Sequence, residues 1–182
     1  MLSHAVHENI DCQGWYNLGY KTPGVYFIYH NRQKFKVWCT MLTSGKGFIT
    51  FQRRQDGSVN FNRNWEDYKN GFGDPNTEYW LGNENIHKLT HGRSMELIFW
   101  SQTFQGVDAF TYYTNFSIEN EEHNYRLNAG VFKSGIESSP DDWMYGSGNM
   151  EFSTGRCYIG WPIVTIFHFL SFTLPFSFCL SV

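Results

Sequence analysis

Short runs of β-branched and aromatic residues, separated by turn-forming pairs, restrict the fold of this chain more than any other feature. Three runs lie in the first third of the sequence, at 25–29, 35–41 and 47–52. Asp56-Gly57, a dipeptide that favours two-residue hairpin turns, follows the third run. The pattern predicts three consecutive strands and a hairpin turn that leads into a further short strand at 59–61.

Two short helices are predicted after these strands. Asn64 can cap the first helix, whose first turn carries Glu66 and Asp67, and Gly71 can take the left-handed conformation that ends it. A second short helix is predicted over 83–90.

Two more strands are predicted at 95–100 and 107–118. Alternation along the second of them predicts one face with Phe110, Tyr112, Phe116 and Ile118. The opposite face is predicted to carry Ala109, Thr111 and Asn115. The order of strands, short helices and further strands predicts an α+β fold, with a small N-terminal sheet and a central, mostly antiparallel sheet.

Aromatic residues make up 19% of the 182 residues, and each of them can bury a large area. A chain of this length forms one domain with a sizeable core, which we expect to consist of aromatic clusters. The formal net charge of −3 provides no positive field for nucleic acid, so a nucleic-acid partner is not expected. The first ten residues lack the basic and apolar regions of a signal peptide.

Cys12 and Cys39 are two of four cysteines and lie 27 positions apart. Neither belongs to a CxxC motif, so the spacing does not indicate a zinc or redox site. A disulfide between them would stabilise the fold by about 3–4 kcal/mol on the chain-entropy model. The residues alone are consistent with a disulfide and with two buried free thiols.

Glu84, His87 and His91 have helical spacing and could share one face of the second helix. A metal ion there would need a further ligand and supporting hydrogen bonds. We interpret the three side chains as exposed helix residues, and we assign no metal and no cofactor to the chain. No catalytic arrangement is recognised, so we do not expect an enzyme.

Asn115-Phe116-Ser117 forms an N-glycosylation sequon, which has meaning only in a secretory compartment. Asn115 is predicted on the strand face opposite Phe110 and Tyr112, where it would be exposed. It is therefore a candidate glycosylation site.

One forty-residue stretch, at 51–90, resembles the signature of the fibrinogen C-terminal globular domain, the fibrinogen-related family. It reads FQRRQDGSVNFNRNWEDYKNGFGDPNTEYWLGNENIHKLT. Asp11-Cys12 and the run at 22–26 resemble the opening of that domain, and Phe152-Ser153-Thr154 continues the match. The resemblance covers a partial domain at 11–154, with an N-terminal subdomain at about 11–50 and a central subdomain at about 51–154.

The resemblance implies a non-catalytic, extracellular recognition domain, since family members bind acetylated sugars, protein termini or receptors. A carbohydrate or an extracellular protein is therefore the expected partner. The family cysteines that match Cys12 and Cys39 form a disulfide, so the resemblance implies that bond here. With no signal peptide in view, we expect an N-terminally incomplete chain or one domain of a longer, secreted protein. A structural or assembly fragment without a ligand of its own is the alternative.

The calcium loop of the family directly follows the Phe-Ser-Thr motif and is rich in carboxylates. Here Phe152-Ser153-Thr154 is followed by Gly155-Arg156-Cys157, and no Asp or Glu occurs after Glu151. Because calcium needs several oxygen ligands, mainly carboxylates, we expect the calcium site and the adjoining ligand pocket to be absent.

The tail at 155–182 does not match the family, and no charged residue follows Arg156. A membrane-spanning helix needs about 20 apolar residues, but only the segment 163–174 runs uninterrupted between Pro162 and Pro175. Membrane association of 157–182 is therefore not favoured, and a buried strand around 163–167 is a further alternative. We interpret the tail as alternative or misassigned coding sequence joined to a cut domain.

Overall fold

A computed structural model describes residues 9–102, 108–133, 150–154 and 176–181. The helices are α1 (Cys12–Asn17), α2 (Trp65–Asn70) and α3 (Asn83–Thr90), and a 3-10 helix spans Glu121–His123. The first five strands are β1 (Gly24–His30), β2 (Gln33–Met41), β3 (Gly47–Arg54), β4 (Phe72–Gly73) and β5 (Tyr79–Trp80). The others are β6 (Met95–Gln102), β7 (Asp108–Ile118), β8 (Leu127–Asn128), β9 (Phe132–Lys133) and β10 (Phe176–Ser181).

The described strands pair antiparallel, and the main path of the sheet runs β1-β2-β3-β10-β6-β7-β8. The predicted α+β fold is confirmed, and its N-terminal strands are continuous with the central sheet. The two predicted helices form as α2 and α3. The side chain of Asn64 accepts a hydrogen bond from the backbone N–H of Asp67 at 2.9 Å, and Gly71 follows α2 with φ of 91°.

β10 fills the centre of the sheet, between β3 and β6. Phe176 lies opposite Arg54 on one side and Ser101 on the other. Residues 176–181 of the tail thus pair with two strands of the region that resembles the family. The alternative strand at 163–167 lies outside the described residues.

The strand predicted at 59–61 is wrong, because the structure describes 55–64 as a loop without a strand. Backbone N–H groups of four loop residues donate to the carboxylate of Glu78 at 2.6–3.0 Å. Gly57 has φ of 75°, whereas Asp56 is not left-handed, so the pair does not form the type I′ turn. A buried carboxylate, rather than a neighbouring strand, therefore accepts the hydrogen bonds of these backbone N–H groups.

The pairing of β6 with β7 contains a bulge. Leu97 lies opposite Tyr113 but Met95 lies opposite Phe116, so β7 carries one extra residue in this interval. Within the interval, Asn115 has φ of 51°, in the left-handed region that Asn tolerates better than most residues.

The bulge overturns the predicted faces of β7. Phe116 and Ile118 belong to the main core, whereas Phe110 and Tyr112 pack with Phe48 on the other face of the sheet. The single face predicted for the four aromatic and apolar side chains is wrong because one inserted residue shifts the alternation.

Aromatic clusters form much of the main core, as the composition predicts. Seven of the largest fully buried side chains among the described residues are aromatic, and six of these belong to the main core: Trp80, Tyr68, Tyr125, Phe51, Phe61 and Phe116. The rings of Phe51 and Trp80 lie 5.7 Å apart in an edge-to-face arrangement, and those of Tyr68 and Trp80 lie 5.4 Å apart. No helix in the described part of the chain is long and apolar enough to cross a membrane.

Candidate functional site

The structure contains the disulfide that the family resemblance implies. Cys12 begins α1 and Cys39 lies in β2; both are fully buried, and their Cα atoms are 5.5 Å apart. Asp11 caps α1 by accepting a hydrogen bond from the N–H of Gly14 at 2.8 Å. The disulfide therefore links α1 covalently to β2 of the sheet.

An open cleft of about 490 Å³ lies between the N-terminal end of β2 and the β4–β5 hairpin. We call it the β2–β4 cleft. Residues 33–36 line one side, residues 70–73 line the other, and Asn85 and Lys88 of α3 contribute to the rim. The buried part of the lining includes Tyr79, Trp80 and Leu81. The volume and the mixed lining suit a ligand segment rather than a single ion.

Hydrogen bonds fix the buried aromatic residues of this cleft. The hydroxyl of Tyr79 accepts from the backbone N–H of Trp38 at 3.1 Å and donates to the carbonyl of Thr50. The indole N–H of Trp80 donates to the carbonyl of Tyr68 at 3.0 Å. Because these rings are held by the backbone of three neighbouring elements, this part of the lining is formed before any ligand arrives.

Two glycines allow residues 70–73 to pack closely against the buried part of the lining. Gly71 and Gly73 have φ of 91° and 83°. A Cβ atom on Gly71 would lie 2.8 Å from the carbonyl carbon of Leu81, and one on Gly73 would lie 2.8 Å from Cα of Tyr79. Both positions therefore require glycine for conformation and for space.

The lining of the β2–β4 cleft is positively charged, with three lysines and no Asp or Glu. Outside the lining, Asp74 lies 3.4 Å from Nζ of Lys36, and Glu84 lies 3.3 Å from Nζ of Lys88. These are solvated pairs, which contribute little to stability. Lys36 and Lys88 can therefore exchange these partners for a carboxylate of a ligand. Nζ of Lys34 lies 3.8 Å from the ring centroid of Phe27.

Glu78, on the hairpin that borders the cleft, is fully buried. Burial alone would raise the pKa of its carboxyl group, but hydrogen bonds from the backbone of the 55–59 loop outweigh burial and lower that pKa. Arg54 lies 3.4 Å from the carboxylate, and burial lowers the pKa of its guanidinium. The backbone donors, more than Arg54, thus keep Glu78 ionised.

Sequence reasoning did not single out Glu78 or the cleft. An acidic residue directly before the apolar run Tyr79-Trp80-Leu81 is a signal that a buried strand carries a charge in need of partners. The cleft joins residues that are up to 55 positions apart, such as Gln33 and Lys88, and no local pattern marks it.

The candidate metal ligands, Glu84 and His87 in α3 and His91 directly after it, are only partly brought together. His91 is exposed as interpreted, whereas Glu84 and His87 are half-buried. The rings of His87 and His91 lie 5.0 Å apart, but Nδ1 of His87 lies 2.9 Å from the carbonyl of Ile118. Glu84 pairs with Lys88 and accepts a hydrogen bond from the hydroxyl of Tyr125 at 3.1 Å. Within the described residues, no three His, Cys, Asp or Glu side chains form a group that could hold a metal ion.

Asn115 lies exposed on β7, at the bulge. The sequence predicts its exposure, but from a regular alternation that the strand does not have. The residues directly after Thr154, where the family has its calcium loop, lie outside the described residues.

A family model described as the C-terminal globular domain of fibrinogen beta and gamma chains matches residues 8–157. Ryncolin-4 of Cerberus rynchops is 43% identical over 126 residues, which are 69% of this chain and 36% of ryncolin-4. Angiopoietin-1 of Homo sapiens is 43% identical over 119 residues, which are 64% of this chain and 24% of that protein. The chain thus covers about a quarter to a third of the length of these relatives.

Solved structures of fibrinogen-related proteins are similar to this fold. The fibrinogen-like globe domain of human ANGPTL6 has a TM-score of 0.74 and 36% identity, over 85% of this chain and 68% of that one. Lamprey fibrin D-dimer, complexed with the peptide ligand Gly-His-Arg-Pro-amide, has a TM-score of 0.67 and 34% identity, over 79% of this chain and 50% of that one.

Proposed function

Because the chain belongs to the family of fibrinogen C-terminal globular domains, we propose that it acts as a non-catalytic recognition domain outside the cell. The family match over residues 8–157 carries this proposal. The expected partner is an extracellular protein, with a carbohydrate as the second candidate.

The β2–β4 cleft is the binding surface that we propose. Its three lysines and the absence of Asp and Glu from its lining favour an acidic segment of a partner protein over an apolar ligand. The peptide named with lamprey fibrin supports a peptide as a ligand class for this fold, but it is basic, so the acidic character proposed for the partner rests on the lysines alone.

The location outside the cell rests on the disulfide as well as on the family. Disulfides persist in oxidising compartments, and Cys12–Cys39 is buried at the junction of α1 and β2. Thiol counting on the denatured, unreduced protein is expected to find this pair blocked. Two reactive thiols at Cys12 and Cys39 would contradict the proposed compartment.

We propose that the calcium site and ligand pocket of the family are absent. This proposal is supported by the sequence after Glu151, which contains no Asp or Glu whose carboxylate could bind a calcium ion. Isothermal titration with calcium is expected to give no heat of specific binding. A stoichiometric, saturable heat would contradict this absence.

An array experiment separates recognition from the alternative, a structural or assembly fragment without a ligand. The intact, oxidised chain is applied to arrayed extracellular proteins and glycans, with calcium and with a chelator. Recognition predicts saturable binding that persists in the presence of the chelator. The same chain should lose this binding after it is unfolded, reduced and alkylated. Absence of binding by the folded chain across both arrays would favour the structural fragment.

A further inference from the structure

The surface around Asn115 has the properties of a modification site. Asn115-Phe116-Ser117 is a sequon, and Asn115 is exposed while Phe116 is fully buried. A regular strand already places neighbours on opposite faces, but here the bulge adds a second effect. The extra residue between Tyr113 and Phe116 keeps both of these side chains in the core and leaves Asn115 outside it.

The hydrogen bonds of Asn115 leave its amide nitrogen available. Oδ1 accepts a hydrogen bond from the hydroxyl of Ser94 at 2.9 Å. No hydrogen bond of Nδ2 is found within the described residues. The carbonyl oxygen can keep its partner when a substituent is attached to Nδ2, because the substituent replaces only an amide hydrogen.

The neighbouring segment leaves space beside Asn115. The N–H of Gly130 donates to the carbonyl of Thr114 at 2.7 Å, so this segment lies directly against the bulge. A Cβ atom at Gly130 would lie only 3.1 Å from Cβ of Asn115. Glycine removes that obstruction, and the next residue, Val131, is 70% exposed. A bulky group on Asn115 therefore meets an open surface with an apolar side chain to cover.

We propose that Asn115 carries an N-linked glycan, which lies over the surface formed by Ser94, Gly130 and Val131. In the reaction, Nδ2 of Asn115 bonds to the anomeric carbon of an oligosaccharide that a lipid pyrophosphate carries. The bond from that carbon to the pyrophosphate oxygen breaks, Nδ2 loses one proton, and the lipid pyrophosphate leaves. The proposal rests on the proposed extracellular location, since this donor acts in the secretory pathway.

The test directs the full chain into the secretory pathway of mammalian cells with an added signal sequence. Protein from cells and medium is treated with an amide-cleaving glycosidase in heavy-oxygen water, and peptides are analysed by mass spectrometry. We expect a mobility shift on treatment and a heavy-oxygen label at position 115. Asn115→Gln and Ser117→Ala should lose both signals, while Ser117→Thr and the exposed control Asn62→Gln should keep them.

Variants that fail to fold are retained in the cell, and their glycosylation is measured in the cell-associated fraction. This is possible because transfer of the oligosaccharide to the sequon does not require secretion. Absence of the label from the wild-type chain in both fractions would overturn the proposal, as would a shift that persists in Asn115→Gln. The disulfide state of Cys12 and Cys39 in the same samples distinguishes this failure from failure of the extracellular proposal. An oxidised but unlabelled chain contradicts only the glycan.

Discussion

At the scale of single residues, the carboxylate of Glu78 organises the loop at 55–59. Its Oε1 accepts from the N–H groups of Gln55, Asp56 and Gly57, and its Oε2 accepts from that of Val59. A side-chain amide offers only one acceptor oxygen, so it cannot serve donors on both sides. The buried carboxylate of Glu78 thus accepts the backbone hydrogen bonds that a neighbouring strand would otherwise accept from this loop.

Glu78→Gln is expected to lower the free energy of unfolding by about 3 kcal/mol, because buried donors and Arg54 lose their acceptor. Urea unfolding monitored by tryptophan fluorescence measures the loss. The exposed Glu122→Gln serves as the control and should change stability by less than about 0.5 kcal/mol. Equal effects of the two substitutions would contradict the role given to Glu78.

The pH dependence gives a second readout for the same residue. The pKa of Glu78 is lower in the folded chain than in the unfolded chain. Its contribution is therefore complete above the unfolded pKa of about 4.3 and is lost as the pH falls towards the folded pKa. Stability of the wild-type chain should fall more steeply below about pH 4.5 than stability of Glu78→Gln. Parallel pH profiles would exclude this linkage.

At the scale of elements, α1 is fixed to the sheet through β3 as well as through the disulfide. A Cβ atom at Gly47 would lie 2.7 Å from the carbonyl carbon of Cys12, and that backbone cannot rotate away as a side chain would. The amide side chain of Gln13 also accepts a hydrogen bond from the N–H of Gly47 at 3.0 Å. The contact between α1 and β3 thus depends on the missing side chain at one position.

Gly47→Ala is expected to destabilise the chain by about 2–3 kcal/mol through overpacking against α1. Thermal unfolding of the oxidised protein measures this effect. Gly24→Ala is the matched control, because a Cβ at Gly24 would meet only a ring carbon of Tyr26, at 3.8 Å. A melting temperature unchanged in Gly47→Ala would show that α1 is not packed as described.

The longer strands before β10 and two of the helices were predictable from local sequence, whereas α1 and the two-residue strands were not. Turn residues and β-branched runs located β1, β2, β3 and β6, and the cap at Asn64 located α2, because these signals act within a few residues. The bulge in β7 was not predictable, since a single inserted residue leaves the apolar composition of the strand unchanged. The false strand at 59–61 arose because its backbone partner, Glu78, is distant in sequence.

At the scale of the whole molecule, β10 joins the two parts of the sheet. Leu180 lies opposite Ile49 of β3 and Leu97 of β6, so the strand has neighbours on both sides. Its sequence, FSFCLS, follows a segment without charges, and no local signal indicates which strands it joins. The candidate site was also not predictable from the sequence. The family resemblance implied the disulfide, whereas the β2–β4 cleft forms only when distant segments assemble in the fold.

Leu180→Pro is expected to destabilise the chain by about 3 kcal/mol or more, because proline removes a backbone donor from a central strand. Leu180→Val keeps the donor and is the matched control. Chemical unfolding of both variants, together with a chain that ends at Thr154, measures the contribution of the strand. Full stability of Leu180→Pro and of the shortened chain would show that the tail is not part of the sheet.

Recognition through the β2–β4 cleft is the central claim, and the affinity of a cleft variant tests it most directly. Asn85→Trp places a large side chain at the rim, and Asn62→Trp places the same side chain at an exposed position outside the lining. Affinities are titrated against the arrayed protein or glycan that the wild-type chain binds most tightly. We predict a loss of about tenfold or more for Asn85→Trp and none for Asn62→Trp. Unchanged affinity of a folded Asn85→Trp chain would contradict the claim.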